Sequence, residues 1–152
     1  MVILQVSPPD RVGPVVLGMT IDEAESALHS IEGFQGANES LVPVRGQANY
    51  VSGLSIHTHL DSHRLVNAIE VFKPHHGVSV TLEGIDLFGA SAEIVVERLG
   101  RFTEIAEEEE GCSIIAPSLL VALWRPFVAE SEHDEEGYYF QSVLLARPGY
   151  YD

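Results

Sequence analysis

Two stretches of the chain space their apolar residues as short amphipathic helices do. The first covers residues 21–28 and follows Thr20, and the second covers residues 92–99 and follows Ser91. Each hydroxyl residue stands where a helix N-cap is preferred, and acidic residues occupy the next turn, where the helix dipole favours negative charge. The pattern therefore predicts two short helices, each with a side-chain cap.

Other segments are strand-sized runs of apolar and β-branched residues bounded by turn residues. The main pairs are residues 54–60 with 65–74 and residues 119–124 with 139–148, each predicted to form an antiparallel hairpin. The N-terminal residues 1–6 are predicted to form the first strand. Shorter strands are expected at residues 41–44, 78–82 and 102–106.

The chain also repeats itself. Leu-Gly-Met-Thr-Ile-Asp, residues 17–22, returns as Phe-Gly-Ala-Ser-Ala-Glu, residues 88–93, and residues 65–74 align without gaps on residues 139–148. Such self-similarity predicts a tandem duplication of about 70 residues per copy, with halves at about 1–76 and 77–152. We expect one α+β domain in which each half is a helix followed by an antiparallel meander. The strands would form one continuous sheet with both helices on one face.

This order of helix and meander, its duplication and the Leu17-Gly18-Met19-Thr20 entry to the helix resemble the fold of β-lactamase inhibitory protein. The small lipoprotein of the outer-membrane β-barrel assembly machinery is similar to one such repeat. Residues 84–89 and 147–152 resemble segments of uncharacterised bacterial proteins of the same duplicated build. The chain lacks the paired cysteines of the inhibitor. The resemblance therefore implies a protein-binding sheet, but not inhibition of a β-lactamase.

Charge is the extreme feature of the composition. The net charge is −15, of which residues 1–76 carry −4 and residues 77–152 carry −11. Such a chain repels phosphate backbones and anionic lipid surfaces, which disfavours nucleic acid and membranes as partners. The acids of residues 130–136 and the run Glu107, Glu108, Glu109 and Glu110 are interpreted as solvated loops or as a docking surface for a basic protein.

Period-two alternation in the two closing strands separates core residues from outward ones. It predicts that Leu65, Ile69, Val71, Tyr139, Val143 and Leu145 face the core. Phe72, Phe140 and Leu144 then point outward, and Trp124 is grouped with them. Apolar residues on an open sheet face need an explanation, which is a protein partner, a homodimer or a register that is wrong by one residue.

The segment His57-Thr58-His59-Leu60-Asp61-Ser62-His63 resembles the metal-binding His-x-His-x-Asp-His motif of the metallo-β-lactamase family, with one inserted residue. His57, His59, Asp61 and His63 are therefore candidate ligands. The chain is too short for that family's fold. Strand alternation offers a simpler interpretation, in which His57, His59 and Asp61 face water while Leu54, Ile56, Thr58 and Leu60 face the core.

No Ser-His-Asp order, Gly-x-Ser-x-Gly, Walker or dinucleotide-binding glycine pattern occurs, so we expect no enzyme and no cofactor. The single cysteine, Cys112, and the absence of a signal-peptide pattern predict a cytoplasmic protein. The sequence favours a non-catalytic module that binds a basic protein, as an inhibitor or immunity protein would. The alternatives are a metal-binding protein or metal-dependent enzyme using the histidines, and a structural homodimer.

Overall fold

The computed structural model describes residues 2–36 and 44–148. Within those residues the protein is α+β and consists mostly of strands. The strands are β1 Val2–Ser7, β2 Arg11–Val12, β3 Val15–Val16, β4 Gln47–Asn49, β5 Ser55–Leu60, β6 Val66–Phe72, β7 Val78–Leu82, β8 Ile85–Asp86, β9 Ala106–Glu108, β10 Ser113–Ala116, β11 Val121–Trp124 and β12 Ser142–Ala146. The helices are α1 Ile21–Ser30, α2 Ala92–Leu99 and the single turn α3 Glu135–Tyr138.

Seven strands form an antiparallel sheet in the order β4-β5-β6-β12-β11-β10-β9. Its central pair is β6 and β12, the two closing strands predicted from the sequence. Phe72 lies opposite Ser142 at one end of this pairing and Ala68 opposite Ala146 at the other. Glu70 and Leu144 form its middle pair, about which the register is symmetric. The two parts of the chain therefore meet at the middle of this sheet.

The remaining five strands form a second sheet in the order β3-β2-β1-β7-β8. Strand β7 pairs in parallel with β1, with Val2 opposite Val78 and Leu4 opposite Val80. The expectation of one continuous sheet is therefore wrong. Parallel neighbours need a long crossover connection, and here the whole segment between β1 and β7 supplies it. Residues 78–82 were correctly predicted as a strand, but sequence alternation does not identify the partner strand.

Both predicted helices begin at their predicted caps. The Thr20 hydroxyl accepts a hydrogen bond from the Glu23 backbone N–H at 3.2 Å, and the Glu23 carboxylate accepts one from the Thr20 N–H at 3.1 Å. This reciprocal pair is a capping box. The Ser91 hydroxyl accepts a hydrogen bond from the Ile94 N–H at 3.3 Å. Each cap satisfies an N–H that the helix itself leaves without an acceptor.

Buried residues of α1, α2 and both sheets belong to one contiguous apolar cluster. The large sheet contributes to it through one face only, with Ile69, Val71, Val143 and Leu145 as its central members. The opposite face is called the outer face from here on. On β6 and β12 it carries Ala68, Glu70, Phe72, Ser142, Leu144 and Ala146, which lie outside the cluster.

The other predicted strands are confirmed with shifted ends. The strand predicted at residues 102–106 is an exception, because only Ala106 of these residues lies in a strand, as the first residue of β9. Residues 41–43 of the predicted strand at 41–44 lie outside the described residues. A register shift between His59 and Leu60 leaves Leu60 exposed rather than core-facing, and Thr58 is only half-buried. No helix among the described residues is long and apolar enough to cross a membrane.

The caps give a direct stability prediction. Thr20→Ala or Ser91→Ala is expected to lower the free energy of unfolding by about 0.5–2 kcal/mol, because a helix-terminal N–H loses its acceptor. Urea denaturation followed by circular dichroism measures the change. Ser26→Ala, at an exposed position inside α1, is the matched control and should cost nothing. Equal effects of the cap variants and the control would contradict the assignment.

Candidate functional site

The outer face of the large sheet is ordered in cross-strand rows, because directly paired residues of antiparallel strands project from the same face. One row joins β6, β12, β11 and β10 through Phe72, Ser142, Trp124 and Ser113. The neighbouring row joins Glu70, Leu144, Ala122 and Ile115. Aromatic and small residues thus alternate along the first row.

The two rows enclose a shallow depression of ≈ 370 Å³. Its lining includes Glu70, Phe72, Ala122, Trp124, Ser142 and Leu144. Trp124 is 43% exposed, whereas Phe72 and Leu144 are half-buried. Three of the four predicted outward apolar residues therefore lie together around one cavity.

Phe140 does not belong to this group. Its side chain is 0% exposed and part of the apolar cluster, with the Arg125 guanidinium 5.5 Å from its ring centroid. The prediction that Phe140 points outward is wrong. Strand alternation does not extend back to this residue, because α3 precedes it and β12 begins only at Ser142. The same interruption leaves Tyr139 half-buried rather than in the core.

The four acids from Glu107 to Glu110 are all exposed, but they do not form one surface. Glu107 and Glu108 lie in the edge strand β9 rather than in a loop. Glu108 pairs with Ser113 and so belongs to the outer face, whereas Glu107 pairs with the core residue Ile114. Glu109 and Glu110 form the turn that follows, with φ values of 52° and 57°. Only Glu108 extends the row that contains Trp124.

Sequence reasoning missed Glu70, which lies at the centre of the outer face. The signal was available, since the alternation that turns Phe72 outward also turns Glu70 outward. The Glu70 carboxylate lies 3.5 Å from His59 Nε2. Glu70 is therefore a partly shielded carboxylate beside an apolar depression.

The four candidate metal ligands fall into two separate pairs. His57 and His59 lie on the outer face, opposite Glu70 and Ala68, and burial lowers the pKa of His57. Asp61 accepts hydrogen bonds from the backbone N–H groups of His63 at 2.8 Å and Leu65 at 3.1 Å, which hold the pKa of Asp61 below its ordinary value. Its role in this structure is to shape the β5–β6 turn. Across residues 2–36 and 44–148, no three His, Cys, Asp or Glu side chains are placed to hold a metal ion.

A second depression of ≈ 290 Å³ lies beside the start of α2, and two of its polar lining residues, Ser91 and Arg125, serve the fold. Ser91 caps α2. Arg125 donates hydrogen bonds to the carbonyl oxygens of Gly111 at 3.1 Å and Gly137 at 3.0 Å. The outer face brings three of the predicted outward apolar residues together around one depression, so it is the better candidate for a binding site.

Neither a protein-family model, nor a curated protein, nor a solved structure matches this chain. We therefore infer function from the geometry and charge of the outer face.

The opposite burial of two aromatic residues gives a second prediction. Phe140→Ala is expected to lower the free energy of unfolding by about 3–5 kcal/mol, because it opens a cavity in the core. Trp124→Ala should cost about 1 kcal/mol or less, since the side chain is largely on the surface. Urea unfolding should be followed by far-ultraviolet circular dichroism, because Trp124 is the only tryptophan in the chain. Equal losses would contradict the placement of either side chain.

The separation of the histidines gives a third prediction. Replacing His57, His59 and His63 together with Gln should change stability by no more than about ±0.5 kcal/mol per site, because these residues contribute no shared metal site. Adding equimolar zinc to the unmodified protein should leave its melting temperature unchanged, since a ligand that binds the native state would raise it. A zinc-dependent rise that the triple variant abolishes would restore the metal hypothesis.

Proposed function

We propose that the protein is a non-catalytic binding module and that the outer face of its large sheet docks another protein. The observation that carries the proposal is the placement of Trp124, Phe72 and Leu144 side by side around one open depression. Partly exposed apolar and aromatic residues on a sheet face lose contact with water when a partner covers them. Tryptophan is also among the residues that most often dominate binding energy at such interfaces.

The proposed partner is basic. The chain carries −15, and Glu70 and Glu108 lie on the same face as the aromatic residues. Negative charge of this size accelerates the approach of a positively charged protein and slows that of an acidic one. An inhibitor or immunity protein that neutralises a basic protein in the cytoplasm would have these properties.

The same charge argues against the homodimer. Joining two copies through their outer faces would bring together two chains of −15 and place one Glu70 near the other. Like charges at an interface cost free energy unless they are paired. The metal-binding alternative has no supporting geometry, because the candidate ligands are divided between a strand and a turn.

We also propose that the chain is a tandem duplication of two half-domains, about 1–76 and 77–152. The equivalent closing strands β6 and β12 pair with a register symmetric about Glu70 and Leu144. Each half also begins its helix at a hydroxyl cap. The resemblance to the duplicated β-lactamase inhibitory protein fold agrees with this arrangement, and it is one in which a sheet holds a protein partner.

The docking face can be tested in cells of the source organism by replacing Leu144 with the photo-crosslinking amino acid p-benzoylphenylalanine. A defined crosslinked species should form from this position and be lost when Trp124→Ala is added. The matched control places the same amino acid at Val51, which is 67% exposed and contacts Gly33 beyond the end of α1. Identical crosslinks from both positions, or none from Leu144, would refute the docking face.

Once crosslinking has identified the partner, its reversible binding kinetics should separate the anchoring role of the aromatic residues from the steering role of the acids. Trp124→Ala should raise the dissociation rate about 30-fold, the equivalent of ~2 kcal/mol for a desolvated anchor. Changing Glu107 to Glu110 into Gln should instead slow association and flatten its dependence on salt, because negative charge on and beside the outer face mainly steers the encounter. Unchanged rates in both variants would place the contact elsewhere.

A further inference from the structure

We propose that the depression on the outer face receives an arginine side chain of the docked protein. This inference rests on the proposed docking function and specifies its central contact. We describe the depression as a slot with Trp124 and Phe72 as its walls, because these residues line it from β11 and β6, on either side of the buried Ser142 of β12. Glu70 lies in the neighbouring row, two residues before Phe72 on β6 and on the same face.

The spacing of the walls suits a cation between two rings. Trp124 and Phe72 are two strand spacings apart, which is about 10 Å. If both rings stand upright on their strands, a guanidinium group placed midway lies about 5 Å from each, within the range of about 6 Å in which a cation is attracted to an aromatic face. Ser142, on the strand between them, has a small side chain but is only 5% exposed, so a bound group would lie above it, at the level of the rings.

One wall is supported from behind. The His57 ring packs against Phe72 with the ring centroids 4.8 Å apart. Phe72 is therefore held between His57 and the slot, and its ring is less free to fall across Ser142. Preformed walls lower the entropy cost of binding a side chain between them.

The Glu70 carboxylate lies 3.5 Å from His59 Nε2, and the neighbouring lysine and arginine side chains are engaged elsewhere. No lysine or arginine is among the described residues that line the depression. Lys73, next to Phe72, places its Nζ 5.6 Å from the Tyr139 ring. Arg125, next to Trp124, is bonded to the carbonyl oxygens of Gly111 and Gly137. A cation supplied by the partner would therefore meet Glu70 without competition from these two side chains.

An apolar occupant fits this site less well. Covering Glu70 with an apolar group would remove water from a carboxylate and leave it with His59 as its neighbour. A guanidinium replaces the hydrogen bonds that water donated to the carboxylate, and its flat surface stacks on the rings. Arginine satisfies both the aromatic walls and the acid, whereas lysine offers no planar group for stacking.

The slot can be tested with the small probe n-butylguanidinium, compared with n-butylurea, which has nearly the same shape and no charge. Since Trp124 is the only tryptophan, its fluorescence reports the slot directly. We expect a saturable change with the guanidinium probe at constant ionic strength and a response to the urea that is at least about threefold weaker in affinity. Circular dichroism should confirm that the protein remains folded throughout.

Glu70→Gln should weaken n-butylguanidinium binding by about three- to tenfold while it leaves n-butylurea unaffected. Glu32→Gln, at an exposed position after α1, is the charge-matched control and should leave both affinities unchanged. Equal affinity for the two probes, or equal effects of the two glutamate variants, would overturn the arginine slot. Crosslinking from Leu144 does not depend on either probe. Retained crosslinks with no preference for the cation would therefore refute the slot but not the docking face.

Discussion

The pairing of β6 with β12 is the constraint on which the rest of the structure depends. These strands come from opposite halves of the chain, and their hydrogen bonds join two smaller groups of strands into one sheet of seven. Both strands also carry the centre of the apolar cluster on their inner face. A slip of one residue in this register would move Val143 and Leu145 to the outer face and Leu144 into the core. The pairing thus sets which residues are buried in the core and which lie on the outer face.

The second sheet has a different role. Its β1–β7 contact is the parallel pairing of two strands that begin the two halves of the chain. These strands extend the same apolar cluster through Leu4, Val6, Val80 and Leu82. The cluster is therefore covered by two helices and a small sheet on the inner side of β6 and β12. This asymmetry explains how partly exposed aromatic residues can persist on the outer face without weakening the core.

The sequence predicted local structure well, because helix caps and strand alternation are local signals. Thr20 and Ser91 marked the helix starts, and the two closing strands were found from the match between residues 65–74 and 139–148. The second sheet was missed because the partner of β7 is a property of the whole chain. The prediction for Phe140 was wrong because it assumed that the alternation of β12 continues back to this residue. The helical turn α3 lies just before Phe140 and ends that alternation.

The composition of the outer face was predicted in part, because strand alternation is a local signal. Alternation placed Phe72, Leu144 and Trp124 on one side of their strands, but only the order of the strands shows that Ser142 separates the two aromatic residues. The histidine motif, in contrast, was misleading. Its spacing resembles a metal site, but the hydrogen bonds that Asp61 accepts in the β5–β6 turn separate it from the strand histidines.

The central pairing also has a consequence for synthesis on the ribosome. The partners of β6 lie between 70 and 78 positions further along the chain. At typical translation speeds of about 5–20 residues per second, β6 would wait roughly 4–15 s after its own synthesis before β12 exists. During that interval Val66–Phe72 would present an unpaired apolar edge, which is a template for contact with other nascent chains. Without a chaperone, the N-terminal half would then self-associate slowly and transiently until the ribosome delivers the strand that completes the sheet.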